Sequence, residues 1–96
     1  MPDYQLTFKA VEDLENIYDY TQSEFGAAKA DAYLMGLEQQ MLLIAESPNL
    51  AHKVDDIRQG YRRYLFESHS IYFTESTDSI LVVRVLHQRM SLLLHL

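Results

Sequence analysis

Two amphipathic stripes follow one another in the first half of the chain with only Gly26 between them, and this constrains the fold more than any other feature. Val11, Leu14, Ile17, Tyr18, Thr21 and Phe25 recur at spacings of three and four, which places them on one helical face. Ala30, Tyr33, Leu34, Leu37, Met41, Ile44 and Ala45 repeat the pattern. Gly26 stops the first stripe as a C-terminal glycine does. Ser47-Pro48 stops the second, because proline disfavours helical geometry in the residue before it. Two helices joined so tightly pack antiparallel as a hairpin. Ala32 and Gly36, four apart, would let a neighbouring backbone approach closely.

The rest of the chain reads as strand and loop. Tyr4-Gln5-Leu6-Thr7-Phe8 alternates with period two, the pattern of a half-buried strand. Thr7 is placed to cap the first helix, and Glu12 and Asp13 fall near its positive end. Residues 47–60 are polar and predict a long loop. From Tyr61 the character is β: Arg62–Phe66 and His69–Thr74 flank a tight Glu67-Ser68 connection, and Glu75-Ser76-Thr77-Asp78 makes the next turn. Ser79–His87 is apolar on both sides, with Ile80, Val82 and Leu86 on one face and Leu81, Val83 and Val85 on the other. Such a strand belongs in the middle of a sheet.

The expected architecture is therefore a single α+β domain over residues 1–96. Its order is β-α-α-β-β-β, an antiparallel sheet with the helical hairpin packed on one face. The hairpin covers only that face. The tail Met90–Leu96, apolar at five of seven positions, either shelters the other face or presents an apolar surface to a partner.

Composition narrows the function. A chain of 96 residues without cysteine has no disulfide, thiolate metal site or cysteine nucleophile. The N-terminus lacks the features of a secretory signal, and no apolar run reaches the ~18–20 residues of a membrane span, so a cytoplasmic protein with no membrane association is expected. A net charge of −6 argues against bulk electrostatic binding to nucleic acid, and no direct sequence-specific binding to it is expected either. The charge is uneven. Residues 1–56 carry 11 acidic and 3 basic side chains, whereas residues 57–96 carry 3 acidic and 5 basic ones, all Arg.

No glycine-rich phosphate loop, nucleophile elbow or metal-ligand spacing is present, so neither catalytic residues nor metals nor cofactors are expected. His52, His69, His87 and His95 have no regular spacing and read as structural or exposed. Glu12, Asp13, Glu15 and Asp19 read as the solvated face of the first helix. The arginines stand out. Arg84 interrupts an apolar strand, and a buried charge there needs a partner. Two readings stay open: an ion pair with Glu67 or Glu75, or an anion-seeking patch with Arg62, Arg63 and Arg89.

The residues that carry a family resemblance span nearly the whole chain. They are Tyr4–Ala10, Asp13-Leu14, Ile17–Thr21, Phe25-Gly26 (usually Trp-Gly), Ile57–Arg63, Ser68–Phe73 and Val83–Met90, with Ser91 where Asp is usual. In this order they resemble ParE-type toxins of the RelE/ParE superfamily. The resemblance implies the toxin of a type II toxin–antitoxin module of plasmid-stabilisation type. Such a toxin inhibits DNA gyrase by binding rather than as an enzyme, and a ParD-type antitoxin neutralises it in a hetero-oligomer. Arg62, Arg63, Arg84, His87 and Arg89, with the tail, are then expected to face gyrase. Leu14, Ile17, Tyr18, Tyr33, Leu37 and Met41 are expected to meet the antitoxin wherever their edges stay exposed. The alternatives are a RelE-type ribosome-dependent mRNA endoribonuclease, with Arg63, Arg84 and His87 as its chemical groups, and an inactive homologue that only binds its antitoxin.

Overall fold

The computed structural model describes residues 3–95. β1 (Asp3–Leu6) leads into the hairpin of α1 (Phe8–Phe25) and α2 (Ala27–Glu46), followed by β2 (His52–Lys53), β3 (Tyr61–Phe66), β4 (His69–Ser76) and β5 (Ser79–His87). Short 3-10 turns occupy Pro48–Leu50 and Leu92–Leu94.

The local signals for the hairpin hold. Thr7 caps α1, its hydroxyl oxygen accepting from the Ala10 amide at 3.1 Å. Gly26 alone separates the helices with φ +93°, a backbone conformation that side chains with a Cβ rarely adopt. Tyr18 Oη donates to Asp31 Oδ1 at 2.7 Å, tying α1 to α2.

The sheet runs β1-β5-β4-β3-β2. The meander β3-β4-β5 is antiparallel, as expected, but β1 pairs with β5 in parallel, so the sheet is mixed. β1 and β5 come from opposite ends of the chain, so no tight turn fixes their relative direction. β5 is central at its start, between β1 and β4. The two-residue β2 lies inside the segment read as loop.

One face of the sheet packs on the hairpin. Leu37, Met41 and Ile44 from α2 meet Ile71, Phe73, Ile80, Val82 and Val85. A bulge corrects the face assignment in β5. Tyr72 pairs with Arg84 but Phe73 with Val82, so Val83 is an extra residue and the alternation inverts beyond it. Val85 thus joins Ile80 and Val82 in the main core, and Leu86 turns to the outer face.

That outer face has its own small core of Tyr72, Leu86 and Leu92, with Val54, Ile57 and Tyr61 packed against it. The tail does fold back, and Leu92 is its anchor. The polar segment supplies the rest of the cover through Val54 and Ile57. Leu93 and Leu94 stay 65% and 81% exposed. Gly36 permits a close approach of the Phe66 ring, 3.0 Å from where a Cβ would sit, and not of a neighbouring backbone.

Candidate functional site

β1 ends at Leu6, so the second half of β5 would have a bare edge. The entry to α1 covers it instead. The Thr7 amide donates to the Val82 carbonyl at 3.0 Å, and the Thr7 hydroxyl to the Val83 carbonyl at 2.7 Å. One turn further on, Asp13 Oδ2 accepts from the Val85 amide at 3.0 Å. The cap residue Thr7 and the Asp13 side chain of α1 thus stand in for the missing strand, satisfying backbone groups that would otherwise be unpaired.

The same carboxylate holds Arg84. Its Nε lies 2.7 Å from Asp13 Oδ2 and its Nη2 2.8 Å from Oδ1, a bidentate pair with side chains only 13% and 11% exposed. Nη1 donates to the main-chain carbonyl of His95. The hydrogen bond to Asp13 holds the Arg84 guanidinium above its ordinary range. Arg84 is therefore ion-paired within the chain, but its partner is Asp13 and not Glu67 or Glu75. Asp13, read as part of a solvated face, is a structural carboxylate.

The five arginine and histidine positions expected to face a target do not converge. Arg62 lies on the hairpin-bearing face, donating to Glu75 Oε2 at 3.2 Å and to the Ala51 carbonyl at 2.9 Å. Arg63 and Arg84 sit on the outer face on either side of Tyr72. Arg63 Nε donates to the buried Ser70 Oγ at 2.9 Å. His87 ends β5, and Arg89 follows it, exposed, its amide donating to His87 Nδ1 at 3.2 Å.

The six expected antitoxin contacts divide as well. Leu37 and Met41 are wholly buried, and neither offers surface to a partner. Leu14 and Tyr18 line a shallow groove of about 480 Å³ with Leu6, Val11 and Leu34. Ile17 and Tyr33 line a larger one of about 1040 Å³ on the other flank of the hairpin.

Tyr20, Phe25, Phe66 and Met90 add to the apolar lining of the larger groove; all but Phe66 are exposed. Of these only Phe25 was marked by its place on the helical stripe. Tyr20 lies off it, and Phe66 and Met90 reach the groove only through the tertiary fold.

At the end of that groove Tyr33 Oη lies 2.6 Å from His69 Nδ1, and the His69 and His87 rings meet edge-on with centroids 5.6 Å apart. Burial, and then the charge of His87, hold His69 below its ordinary value. Burial raises the Tyr33 phenol, the Ser68 backbone opposing it in part. Among the described residues no group of three or more histidine or acidic side chains is placed to hold a metal ion. Nor is any helix long and apolar enough to cross a membrane.

Residues 4–92 match the family described as "ParE toxin of type II toxin-antitoxin system, parDE". Toxin ParE1 of Caulobacter vibrioides is 32% identical over 96 residues, covering 100% of this chain and 99% of the relative. Toxin ParE1 of Mycobacterium tuberculosis is 36% identical over 88 residues, 91% of this chain and 90% of the relative. Among solved structures, a chain of the chromosomal ParDE toxin–antitoxin system from P. aeruginosa superposes with a TM-score of 0.77 at 24% identity, covering 91% of this chain and 96% of that one.

Proposed function

The chain belongs to the ParE toxin family of type II toxin–antitoxin systems, and from that premise we propose that it arrests growth in the bacterial cytoplasm by binding DNA gyrase, until a ParD-type antitoxin occupies it. The observation that carries this reading is the family match across residues 4–92, which runs from β1 through the hairpin and the meander to Leu92.

The reading gives the two partners different residues, which meet at His87 on the end of the larger groove. On this reading Arg63 and Arg89 supply positive charge, and His87 a hydrogen-bonding ring, toward acidic groups or DNA phosphates of the gyrase complex. The exposed Leu93 and Leu94 supply apolar anchoring. Arg62 and Arg84, engaged within the chain, act as supports.

The antitoxin meets the flanks of the hairpin, through Leu14 and Tyr18 on one side and Ile17 and Tyr33 on the other. An amphipathic segment that folds on binding suits such grooves, because its ordering cost is offset by the apolar area it covers. Leu37 and Met41 contribute beneath these contacts, as core.

Inhibition by binding needs no reacting group, so the protein is read as a non-enzyme. Induction of the chain in bacteria, alone and with the neighbouring reading frame, tests the toxin–antitoxin part of the reading. Arrest that the second frame relieves supports it. Unimpeded growth would point to an inactive antitoxin binder instead.

A further inference from the structure

Asp13 does more than close the edge of β5. By accepting from both Nε and Nη2, it fixes the plane of the Arg84 guanidinium. The remaining terminal nitrogen, Nη1, is thereby aimed at the His95 carbonyl near the end of the chain. A contact on the second turn of α1 is relayed in this way to the tail, 82 positions away in sequence.

The tail has few other restraints. Leu92 is buried against Tyr72 and Leu86. The Leu94 and His95 amides donate to the Ser91 and Leu92 carbonyls at 3.2 and 2.9 Å, within the tail's own turn. Those two bonds shape the turn without attaching it to the body of the protein. Among the described contacts beyond Leu92, the Arg84 bond is the polar one that ties the turn to the sheet and hairpin.

Leu93 and Leu94 meanwhile face solvent on this restrained turn. An apolar pair held in place binds a partner better than the same pair on a loose end, because less freedom is lost on association. We propose that Asp13 is a positioning residue for the C-terminal tail: acting through Arg84, it holds residues 91–95 so that Leu93 and Leu94 form a preset apolar contact for the target. The identity of the target rests on the gyrase reading above; the latch itself does not.

Amide hydrogen exchange on the full-length chain tests it, with Asp13→Asn and Arg84→Lys as variants. Asn keeps an oxygen for the Val85 amide, but its amide nitrogen has no lone pair for the guanidinium. Lys keeps the charge, but a single ammonium cannot reproduce the planar fork that reaches both Asp13 and His95. In both variants the Leu94 and His95 amides are expected to exchange at least about tenfold faster, as loss of a charge-assisted bond implies. The amides of Phe73 and Val82 in the sheet centre are expected to stay within about twofold of wild type. Inhibition of gyrase supercoiling is expected to weaken alongside the tail.

Wild-type tail protection in a folded variant overturns the proposal. So does protection lost equally from tail and sheet centre in both variants, which would make Asp13 a prop for the whole fold. A loosened tail with undiminished gyrase inhibition overturns the preset contact. If the wild-type chain itself leaves gyrase untouched, the functional reading fails, and the exchange data still decide the latch.

Discussion

Tyr33 Oη and His69 Nδ1, 2.6 Å apart, join the second turn of α2 to the first residue of β4 at the end of the larger groove. A neutral His69 with its proton on Nε2 accepts from the phenol there. Protonation makes Nδ1 a donor, so the phenol has to turn and accept, and it places a charge in a half-buried site. The folded-state pKa of His69 lies below its ordinary 6.5. The unfolded chain therefore takes up the proton first as pH falls, and stability drops with it. The contribution of neutral His69 is complete above about pH 6.5 and declines below it. Thermal unfolding from about pH 7.5 down to 5.5 is expected to show a smaller loss of Tm in His69→Gln than in wild type. Parallel pH profiles for the two proteins would contradict this.

Thr7 serves two elements with one hydroxyl, capping α1 at the Ala10 amide and donating to the Val83 carbonyl at the bulge. Thr7→Ala loses the cap and leaves that carbonyl one donor short. The expected cost is about 1–3 kcal/mol, or a Tm lower by roughly 5–15 °C for a domain of this size. Thr7→Ser, which keeps the hydroxyl, is expected to lose much less.

A Cβ on Gly26 would meet open space, so the cost of adding one is conformational alone. At φ +93° that cost is expected to be about 1–2 kcal/mol for Gly26→Ala. Urea unfolding reads it as a lower midpoint with an unchanged slope. An unchanged midpoint would mean that the helices can be joined in another way.

The two arginines left to face a target make separable predictions. Arg63→Ala and Arg89→Ala are each expected to abolish growth arrest while still forming the antitoxin complex. Co-purification with the antitoxin and colony counts on induction measure the two properties. Full toxicity in both variants would remove these residues from the target surface.

How much of this was legible in the sequence follows the range of each interaction. Thr7 and Gly26 act within a few residues, and their residue types announce the cap and the break. The helical stripe likewise identified Leu37, Met41 and Ile44 as positions on the packed face, though not that Leu37 and Met41 leave no edge for a partner.

The partner of Arg84 was not legible. Asp13 lies 71 positions away on a different element, and an acidic residue early in a helix already had a sufficient local explanation. The bulge at Val83 has no local signature either, since valine suits any strand position. Val54 and Ile57, three apart in a polar stretch, gave too brief a pattern to reveal the cover of the outer face. The family was legible because its marks, Ser68–Phe73 and Val83–Met90 among them, occur in order along the chain.

The most direct test of the central claim is a supercoiling assay with purified gyrase and this chain, with and without the antitoxin. The expected result is dose-dependent loss of supercoiling, with cleaved DNA trapped on the enzyme and activity restored by the antitoxin. Undisturbed supercoiling from a chain that still arrests growth would contradict the account, and cut mRNA in the arrested cells would then identify a ribonuclease.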